Sequence, residues 1–387
     1  MIISVLKEEF LEKLYASMGA VTNKNTTPAL EGVLIDARED GTIRMTTYDM
    51  IKGVRSFITE NVKVIEPGSN VIGAARLLQI VKVLPDHEYI TIEVDDNLNV
   101  KVKSDNSSFS LFAMRGVDYP SMPELTRERG LAIKSSVLKR MINKTIHSIA
   151  VQDNRPQLTG AFFTFDEDRL EIISCDSYTL SKCSVKCEFE DIGEKEAIKG
   201  PLKLIIPGHA LNEVVRLMDD SDELVKIYTG YRHVIFHTGG VQFFTRLIDG
   251  EYFDYERIIP KEQTVFITLN RERFLAGLER AILVADEKYA GSGRSYVKLT
   301  VGGEKLVMTS SSPGGKIYDE MAYEHQGDDL VIGFNCRFLI NSVRAADSEN
   351  IVITMRKENT SITIEPLEKS DEKDFFYLVL PLRMNDK

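Results

Sequence analysis

The stretch VIGAARLLQIVKVLPDHEYITIEV, which begins at Val71, recurs twice in similar form, as IIPGHALNEVVRLMDDSDELVKIYT from Ile205 and as VIGFNCRFLINSVRAADSENIVITM from Val331. In each copy, branched residues and a Gly or Pro lead into a short amphipathic helix, which an acidic turn and a β-rich strand follow. The copies lie 134 and 126 residues apart, counted between the aligned positions Ile72, Ile206 and Ile332. This period predicts three similar domains of about 130 residues, each long enough to fold on its own core.

Two further features repeat with the same period. A hairpin with an acidic or glycine turn occurs as GVLIDAREDGTIRMTTYD from Gly32, GAFFTFDEDRLEIISCD from Gly160 and YVKLTVGGEKLVMTSS from Tyr296. A longer amphipathic helix precedes each hairpin, and in two of these helices the apolar positions are Leu138, Met141, Ile142, Ile146, Phe274, Leu278, Ile282 and Leu283. Each domain is thus predicted to run strand, helix, several strands, helix, several strands. We predict an α+β fold with domains at residues 1–127, 128–258 and 259–387.

The composition excludes several classes of protein. A formal net charge of -11 argues against uniform affinity for phosphate backbones or anionic lipid. The first residues, MIISVLKEEF, lack the layout of a signal peptide, and no apolar stretch approaches the roughly 18 residues of a membrane span. The cysteine spacing matches neither a redox pair nor a zinc site, so we expect reduced thiols at Cys175, Cys183, Cys187 and Cys336. These features predict a cytoplasmic protein without membrane contact.

Positive charge is concentrated in the predicted helices. Six windows, 7–21, 73–84, 134–150, 208–218, 270–285 and 334–346, hold fourteen basic and six acidic residues, so the remainder of the chain carries a charge of -19. One interpretation is that helices simply expose Lys and Arg. The other is that the helices share one surface that faces a polyanion. The chain has no Trp and no basic-aromatic run, so a bound nucleic acid would be held by its backbone.

Catalytic and cofactor motifs are absent from the sequence. It contains no GxxxxGK[ST] loop, and SSPGGKIYDE around Lys316 is better explained as a Gly-Pro turn. Asp49 and Asp176 follow their hairpins at matching points of two domains, which favours turn or cap roles over paired-carboxylate catalysis. We expect no catalytic site, no metal and no cofactor. An enzyme with its active site between domains and a monomeric scaffold without a nucleic-acid role remain the alternatives.

The threefold repeat, together with three segments, resembles a known family. The segments are FTRLIDGEYFDYERIIPKE from Phe244, LVIGFNCRFLINSV from Leu330 and YLVLPLRM from Tyr377. They resemble the bacterial DNA polymerase III beta subunit, the replicative sliding clamp, from residue 1 to about residue 384. The resemblance implies a head-to-tail homodimeric ring of six similar domains of the DNA clamp fold, in which each domain packs two helices on antiparallel sheets. The helices would line the hole.

The resemblance also implies a non-enzymatic function. The ring would encircle double-stranded DNA without sequence preference and confer processivity on the DNA polymerase III catalytic subunit. An ATP-dependent clamp loader would place it on DNA. Other clamp-binding polymerases, ligase and mismatch-repair proteins would dock on the same ring. Weak, salt-sensitive contacts with the DNA backbone are what sliding requires.

The family's partner-peptide pocket is carried over residue by residue. The matching positions are Leu158, Cys175, Ser177, Leu180, Phe253, Arg257, Ile258, Leu378, Leu380, Pro381, Leu382 and Arg383. Leucine or phenylalanine anchors of a peptide would enter its apolar part, and Arg257 and Arg383 would provide polar contacts. Without the resemblance, core packing in a last strand is the better interpretation of Leu378 and Leu380.

This chain departs from the family pattern at the pocket. Many relatives have Gly-His-Arg-Leu where it has Ser177, Tyr178, Thr179 and Leu180, and a proline is frequent where it has Phe253. Three residues, 385–387, follow Met384 at the common end point. These differences bear on the width of the pocket and on its motif preference.

The ring interface and the DNA contacts are implied in the same way. Phe109 and Leu111 in SSFSLFAM match an edge strand of the first domain, and the residues they would meet are Ile282 and Leu283. Loop and helix positions that match DNA contacts, or add to them as helical bases, are Lys24, Arg76, Lys82, Lys139, Lys144, Gln152, Arg216 and Arg337.

Overall fold

The computed structural model describes residues 1–22, 27–123, 126–166, 168–192, 201–285, 296–371 and 374–384. The described residues contain the six predicted helices, which are α1 (Lys7–Ser17), α2 (Ala74–Val83), α3 (Ser135–Thr145), α4 (Gly208–Leu217), α5 (Arg271–Ala285) and α6 (Cys336–Ala345). None of them is long and apolar enough to cross a membrane. Short 3-10 turns follow α1 at Met18–Ala20 and α3 at Ile146–Ser148.

The described residues form 27 strands. Those up to the first predicted boundary are β1 (Ile2–Leu6), β2 (Gly32–Ala37), β3 (Ile43–Tyr48), β4 (Lys52–Ile58), β5 (Val62–Glu66), β6 (Gly68–Gly73), β7 (Tyr89–Val94), β8 (Asn99–Ser104) and β9 (Ser107–Arg115). The next group is β10 (Arg129–Lys134), β11 (Gly160–Asp166), β12 (Arg169–Cys175), β13 (Thr179–Lys186), β14 (Glu190–Asp191), β15 (Leu202–Pro207), β16 (Leu224–Thr229), β17 (His233–Thr238) and β18 (Val241–Arg246). The last is β19 (Val265–Asn270), β20 (Val297–Val301), β21 (Lys305–Ser312), β22 (Gly315–Ala322), β23 (Glu324–Gln326), β24 (Leu330–Phe334), β25 (Asn350–Met355), β26 (Ile362–Pro366) and β27 (Asp374–Val379).

All strand pairs are antiparallel, and they form three sheets. The largest has 14 strands in the order β14-β10-β16-β17-β18-β4-β3-β2-β6-β9-β8-β7-β1-β5. The second has nine, β15-β11-β12-β13-β27-β26-β25-β19-β23, and the third has four, β22-β21-β20-β24. Two pairings join strands from different predicted domains, β4 with β18 and β13 with β27. The prediction of helices packed on antiparallel sheets is confirmed.

The chain divides into two compact units. The first contains the described residues of Met1–Ser136, Glu190–Ala197 and Asn212–Leu247, and the second those of Val137–Phe189, Ile198–Leu211 and Ile248–Lys387. The 14-stranded sheet lies in the first unit and the other two sheets lie in the second. Each unit thus holds one predicted terminal domain and part of the central one. The boundaries near residues 127 and 258 stay a prediction.

Apolar faces of the helices build the cores. In the first unit, Phe10 and Leu14 of α1 pack with Leu77 and Val81 of α2 in one fully buried cluster. In the second unit, the predicted core positions of α3 and α5 are buried, namely Leu138, Met141, Ile142, Phe274 and Leu278. Two predicted positions of α5 differ, because Ile282 is half-buried and Leu283 is 74% exposed. They lie beyond the part of the helix that faces the core.

Asp49 and Asp176 form equivalent turns. The Oδ1 atom of Asp49 accepts hydrogen bonds from the backbone N–H groups of Ile51 at 3.0 Å and Lys52 at 2.8 Å. The Oδ1 atom of Asp176 accepts those of Tyr178 at 2.9 Å and Thr179 at 2.7 Å. Such bonds to backbone donors define Asx turns. The predicted structural role of both carboxylates is confirmed.

Burial of His147 makes the second unit sensitive to acid. Its imidazole lies edge-on to Tyr377 with ring centroids 5.3 Å apart, and its Nε2 is 3.1 Å from the Ser181 hydroxyl. Burial lowers the pKa of His147 to about 4. Above about pH 6.5 the ring is neutral in both states, but as the pH falls toward 4 only the unfolded chain binds the proton. Stability is therefore lost in that range.

We expect His147→Gln to reduce the fall in unfolding free energy between about pH 6.5 and 4. The wild-type chain should lose up to about 3 kcal/mol of unfolding free energy through His147 between pH 6.5 and 4, and the variant should not. Denaturant unfolding at a series of pH values measures the difference. His87→Gln is the control, because the His87 side chain is 93% exposed. An unchanged pH dependence in His147→Gln would contradict the assignment.

Candidate functional site

Five of the predicted pocket residues lie in one apolar cluster of the second unit. Leu158, Cys175, Leu180 and Leu378 are buried together, and Phe253 packs against them while half-buried. Strand register produces this grouping, because Leu180 of β13 lies opposite both Cys175 of β12 and Leu378 of β27. The cluster therefore depends on pairing between strands that are about 200 residues apart in sequence.

Aromatic residues that the sequence analysis did not select enlarge this cluster. The ring of Tyr252 stacks on Phe162 with centroids 5.2 Å apart and contacts Phe253 at 5.1 Å. Its hydroxyl is buried without a hydrogen-bond partner among the described residues, and burial raises its pKa. The position of Tyr252 next to Phe253 in GEYFDYE is the sequence feature that could have identified it. These rings form a rigid apolar wall beside Leu158 and Leu180.

Ser177 has a backbone conformation that is uncommon for a residue other than glycine. Its φ of 77° lies in the left-handed region that favours glycine. The Arg155 guanidinium donates to the Ser177 hydroxyl at 2.6 Å and to Asp153 Oδ1 at 3.1 Å. These bonds hold the side chain toward Arg155. The adjacent Cys175 thiol has a raised pKa because it is buried, so it acts as part of the apolar wall.

The terminal run YLVLPLRM has two kinds of residue. Leu378 is 3% exposed and belongs to the core, as the alternative interpretation holds, whereas Leu380 is 39% exposed. The N–H of Leu380 donates to the Tyr178 carbonyl at 2.9 Å, and the N–H of Leu382 donates to the Gly333 carbonyl at 2.8 Å. The run is thus anchored by its backbone while some of its side chains face solvent.

Tyr178 also contacts helix α6. Its ring is 54% exposed and stacks on Phe338 with centroids 5.7 Å apart and an interplanar angle of 23°. The remaining predicted pocket residues are more exposed than the buried members of the apolar cluster. Arg257 is exposed and paired with Asp254 at 2.7 Å, Ile258 is 44% exposed, and Arg383 is exposed. Pro381 is half-buried. The tail at 385–387 lies outside the described residues.

The predicted interface residues combine an incompletely paired strand with an exposed helix end. Residues Ser107–Phe112 of β9 pair with β8 on one side and with no other strand of the described chain. Phe109 and Leu111 are half-buried against the first unit's core, and Phe112, which the sequence analysis did not select, is 82% exposed. In the second unit, Leu283 is exposed near the end of α5.

The predicted DNA-contacting residues differ in their availability. Lys24 lies outside the described residues. Side chains that are exposed or partly exposed include Arg76, Lys82, Lys139, Gln152 and Arg337. Lys144 is different, because it is 3% exposed and its Nζ lies 2.7 Å from Asp347 Oδ2. Lys144 is therefore not a surface cation.

Arg216 is bound to the end of α1. Its Nη1 donates to the Tyr15 carbonyl at 2.9 Å, its Nη2 to the Ala16 carbonyl at 3.2 Å, and its Nε to Glu213 at 2.9 Å. Helix α1 has no basic residue in its own last turn. A cation at this end stabilises the helix dipole, and Arg216 supplies it from α4.

Gly19 provides the space for this arrangement. A Cβ at residue 19 would lie 2.6 Å from Glu213 Oε2 and 2.9 Å from Arg216 Nη2. The Lys52 ammonium group donates to the Gly19 carbonyl at 2.5 Å, so a second cation binds the same turn. The three donors of Arg216 used here are committed to the protein. This favours a structural role for a residue that the sequence analysis grouped with DNA contacts.

Three family models match consecutive segments of the chain. They are DNA polymerase III beta subunit, N-terminal domain, over residues 1–123, the central domain of the same subunit over 132–254, and its C-terminal domain over 256–383. Among individual relatives, a beta sliding clamp of Staphylococcus epidermidis is 28% identical over 388 aligned residues, which cover 98% of each chain.

Solved structures give the same result. The crystal structure of the DNA polymerase sliding clamp from Bacillus subtilis is similar with a TM-score of 0.88 and 26% identity, and the match covers 100% of both chains. A Pseudomonas aeruginosa sliding clamp bound to griselimycin is similar with a TM-score of 0.87 and 25% identity, covering 99% of this chain and 100% of that one.

The contacts of Arg216 predict that its replacement lowers stability, whereas replacement of an exposed basic residue weakens DNA binding. We expect Arg216→Gln to lower the unfolding free energy by about 1–3 kcal/mol, because charged hydrogen bonds are lost. The slope of log affinity against log salt for a short DNA duplex should not change. Arg76→Gln, which replaces an exposed base of α2, should leave the unfolding free energy unchanged.

If Arg76 contacts a phosphate, its replacement should reduce that slope by about 0.9. Anisotropy titrations over a range of salt concentrations and thermal unfolding provide the two measurements. A reduced salt slope in Arg216→Gln would show that Arg216 contacts phosphate after all.

Proposed function

The chain belongs to the DNA polymerase III beta subunit family of bacterial sliding clamps, and from this premise we propose that it confers processivity on a replicative DNA polymerase by encircling duplex DNA. Three domain models matched in order over almost the whole chain carry this proposal. The proposed domain boundaries are residues 127 and 258.

Processivity in this proposal comes from topology. Two chains associate head to tail in a closed ring, and a polymerase tethered to the ring rebinds its template as an intramolecular event. The contacts with DNA are weak, independent of sequence and sensitive to salt. Exposed side chains support them, namely Arg76 and Lys82 of α2, Arg337 of α6 and Gln152. Lys24 is also proposed as a DNA contact.

Ring closure is assigned to two surfaces. The incompletely paired side of β9, with Phe109 and Leu111, meets the α5 surface of a second copy that carries Ile282 and Leu283. Exposure of Leu283 at 74% supports this pairing, because a large apolar side chain at that position gains stability when a partner covers it. Pairing β9 across the interface also removes an exposed strand edge.

Docking of partners is assigned to the apolar cluster around Leu158, Leu180 and Leu378. A short peptide places leucine or phenylalanine anchors against the accessible residues Phe253 and Leu380, which the buried cluster supports. Arg257 and Arg383 contact the peptide's polar groups. The half-buried state of Phe253 and the 39% exposure of Leu380 support a site open to a ligand.

The partners in this proposal are the DNA polymerase III catalytic subunit, an ATP-dependent clamp loader, other clamp-binding polymerases, ligase and mismatch-repair proteins. The chain acts in the cytoplasm and has no catalytic step of its own. The part of the chain that the structure describes contains no group of three or more His, Cys, Asp or Glu side chains that could hold a metal ion.

The topological link is tested with circular and linear DNA. Once a clamp loader has closed the ring, the protein should stay on nicked circular DNA during gel filtration and leave the same DNA after linearisation. Equal loss from both forms would refute encirclement. Ile282→Asp combined with Leu283→Asp should give a monomer in analytical ultracentrifugation and should not be retained. A wild-type monomer at micromolar concentration would refute the ring.

The docking site is tested at the terminal run. Leu380→Asp should weaken binding of a peptide with leucine and phenylalanine anchors by about 1–3 kcal/mol, because a charge replaces an apolar contact. Leu367→Asp is the matched control, since Leu367 is a leucine of the same unit that is 49% exposed. Calorimetry measures both affinities. Equal peptide affinity in the two variants would refute the assignment, provided that both remain dimers.

A further inference from the structure

One row of side chains crosses five strands of the 14-stranded sheet and consists of hydrogen-bonding residues. Thr46 of β3 lies opposite Arg55 of β4, and Arg55 lies opposite Gln242 of β18. Gln242 lies opposite His237 of β17, which lies opposite Lys226 of β16. We call these five residues the basic ladder. With neighbouring strands about 4.8 Å apart, it is about 19 Å long.

The basic ladder lies on the face of the sheet that carries a small apolar cluster. Alternate residues of a strand share a face, so His237 lies on the same side as Ile235, and Gln242 on the same side as Phe244. Ile235 and Phe244 are buried in a cluster with Tyr119. Beside this covered row, Arg55, Gln242 and His237 are half-buried and Lys226 is exposed, so these four residues of the ladder are accessible, whereas Thr46 is 5% exposed.

The charge of Arg55 is poorly compensated. Its Nε atom is buried without a hydrogen-bond partner in the described chain. Burial and the nearby cations Arg44 and Arg38 lower its pKa, and Asp36 opposes them. The Asp36 carboxylate is already engaged, because Arg44 donates to it at 3.0 and 2.6 Å and the Ser69 hydroxyl also donates to it.

The other end of the ladder is also cationic. Burial, Lys226 and Arg127 lower the pKa of His237 in that order. The Arg127 guanidinium lies over the Tyr228 ring, 4.8 Å from its centroid. Cations therefore lie near Arg55 and near His237, while Glu190 of β14 lies two strands beyond Lys226 in the same row.

An uncompensated row of this kind is unexpected in an acidic chain. The sequence has 59 acidic and 48 basic residues, and a partly buried cation without a paired anion costs free energy. A buried donor without an acceptor also costs free energy. Uncompensated charges and unpaired hydrogen-bond donors are typical of sites that bind an external ligand. The missing groups are negatively charged hydrogen-bond acceptors.

We propose that the basic ladder binds a short acidic segment of a partner protein. Carboxylates of the segment accept hydrogen bonds from Arg55, Gln242 and Lys226, and the two Nη atoms of Arg55 can hold one of them with two parallel bonds. An extended segment of about six residues matches the length of the ladder. The residues of this binding site differ from those of the proposed peptide site around Leu158, Leu180 and Leu378 and from the exposed basic residues of the helices.

Two observations favour an acidic peptide over single-stranded nucleic acid. The ladder contains no Phe, Tyr or Trp on which bases could stack in succession. The chain's net charge of -11 repels a polyanion that extends beyond the ladder, whereas a six-residue segment ends with it. Electrostatic attraction of this kind weakens as salt is added.

The test uses the full-length protein and a fluorescent peptide of six aspartates. Anisotropy at low salt should show binding by the wild-type protein and about tenfold weaker binding by Lys226→Gln, with a larger loss for Arg55→Gln combined with Lys226→Gln. Arg76→Gln, which removes a base from α2, should bind as the wild type does. A six-asparagine peptide should not bind.

The outcomes that would overturn the proposal are distinct. If Lys226→Gln and the wild type bind the aspartate peptide with equal affinity, the ladder is not the binding site. Because Lys226 is exposed, this variant does not disturb the core. Tighter binding of a six-nucleotide oligothymidylate than of the peptide would exclude the acidic-peptide class. Retention on circular DNA should persist in Lys226→Gln, which separates this site from the sliding function.

Discussion

Backbone pairing between strands from different predicted domains connects the two halves of each compact unit. In the first unit, β4 and β18 pair from Lys52 to Ser56 against Val241 to Thr245, and in the second, β13 pairs with β27. Each pairing covers edges that would otherwise expose unsatisfied backbone groups. The domains of one chain are therefore joined by the same antiparallel hydrogen bonding that holds each sheet together.

Both candidate binding surfaces are located at these junctions. Leu180 and Leu378 face each other across the β13–β27 pair, and the apolar cluster forms around them. Arg55 and Gln242 face each other across the β4–β18 pair, in the middle of the basic ladder. Residues from two domains thus reach one surface without a loop to position them, which keeps their spacing constant.

Repetition in the sequence predicted much of the fold, because each copy carries its own helix periodicity and turn chemistry. The helices, the hairpins and the Asp49 and Asp176 turns are local features and follow from residues close in sequence. Burial of Lys144 was not predictable, because its partner Asp347 lies about 200 residues away. The same holds for the basic ladder, whose composition depends on strand register between distant segments. For the terminal run, periodicity indicates a last strand but not which leucine is exposed.

The second helix of each repeat has one basic residue in its last turn, and the three make different kinds of contact. Lys82 lies over the Tyr15 ring at 4.7 Å, Arg216 binds the carbonyl groups that end α1, and Arg344 pairs with Glu279 at 2.8 Å. The same charge thus occurs in all three repeats, but its contacts differ from one repeat to the next. A consensus sequence averaged over the three repeats would retain the charges and lose the partners. The second helices of the three repeats are therefore not interchangeable.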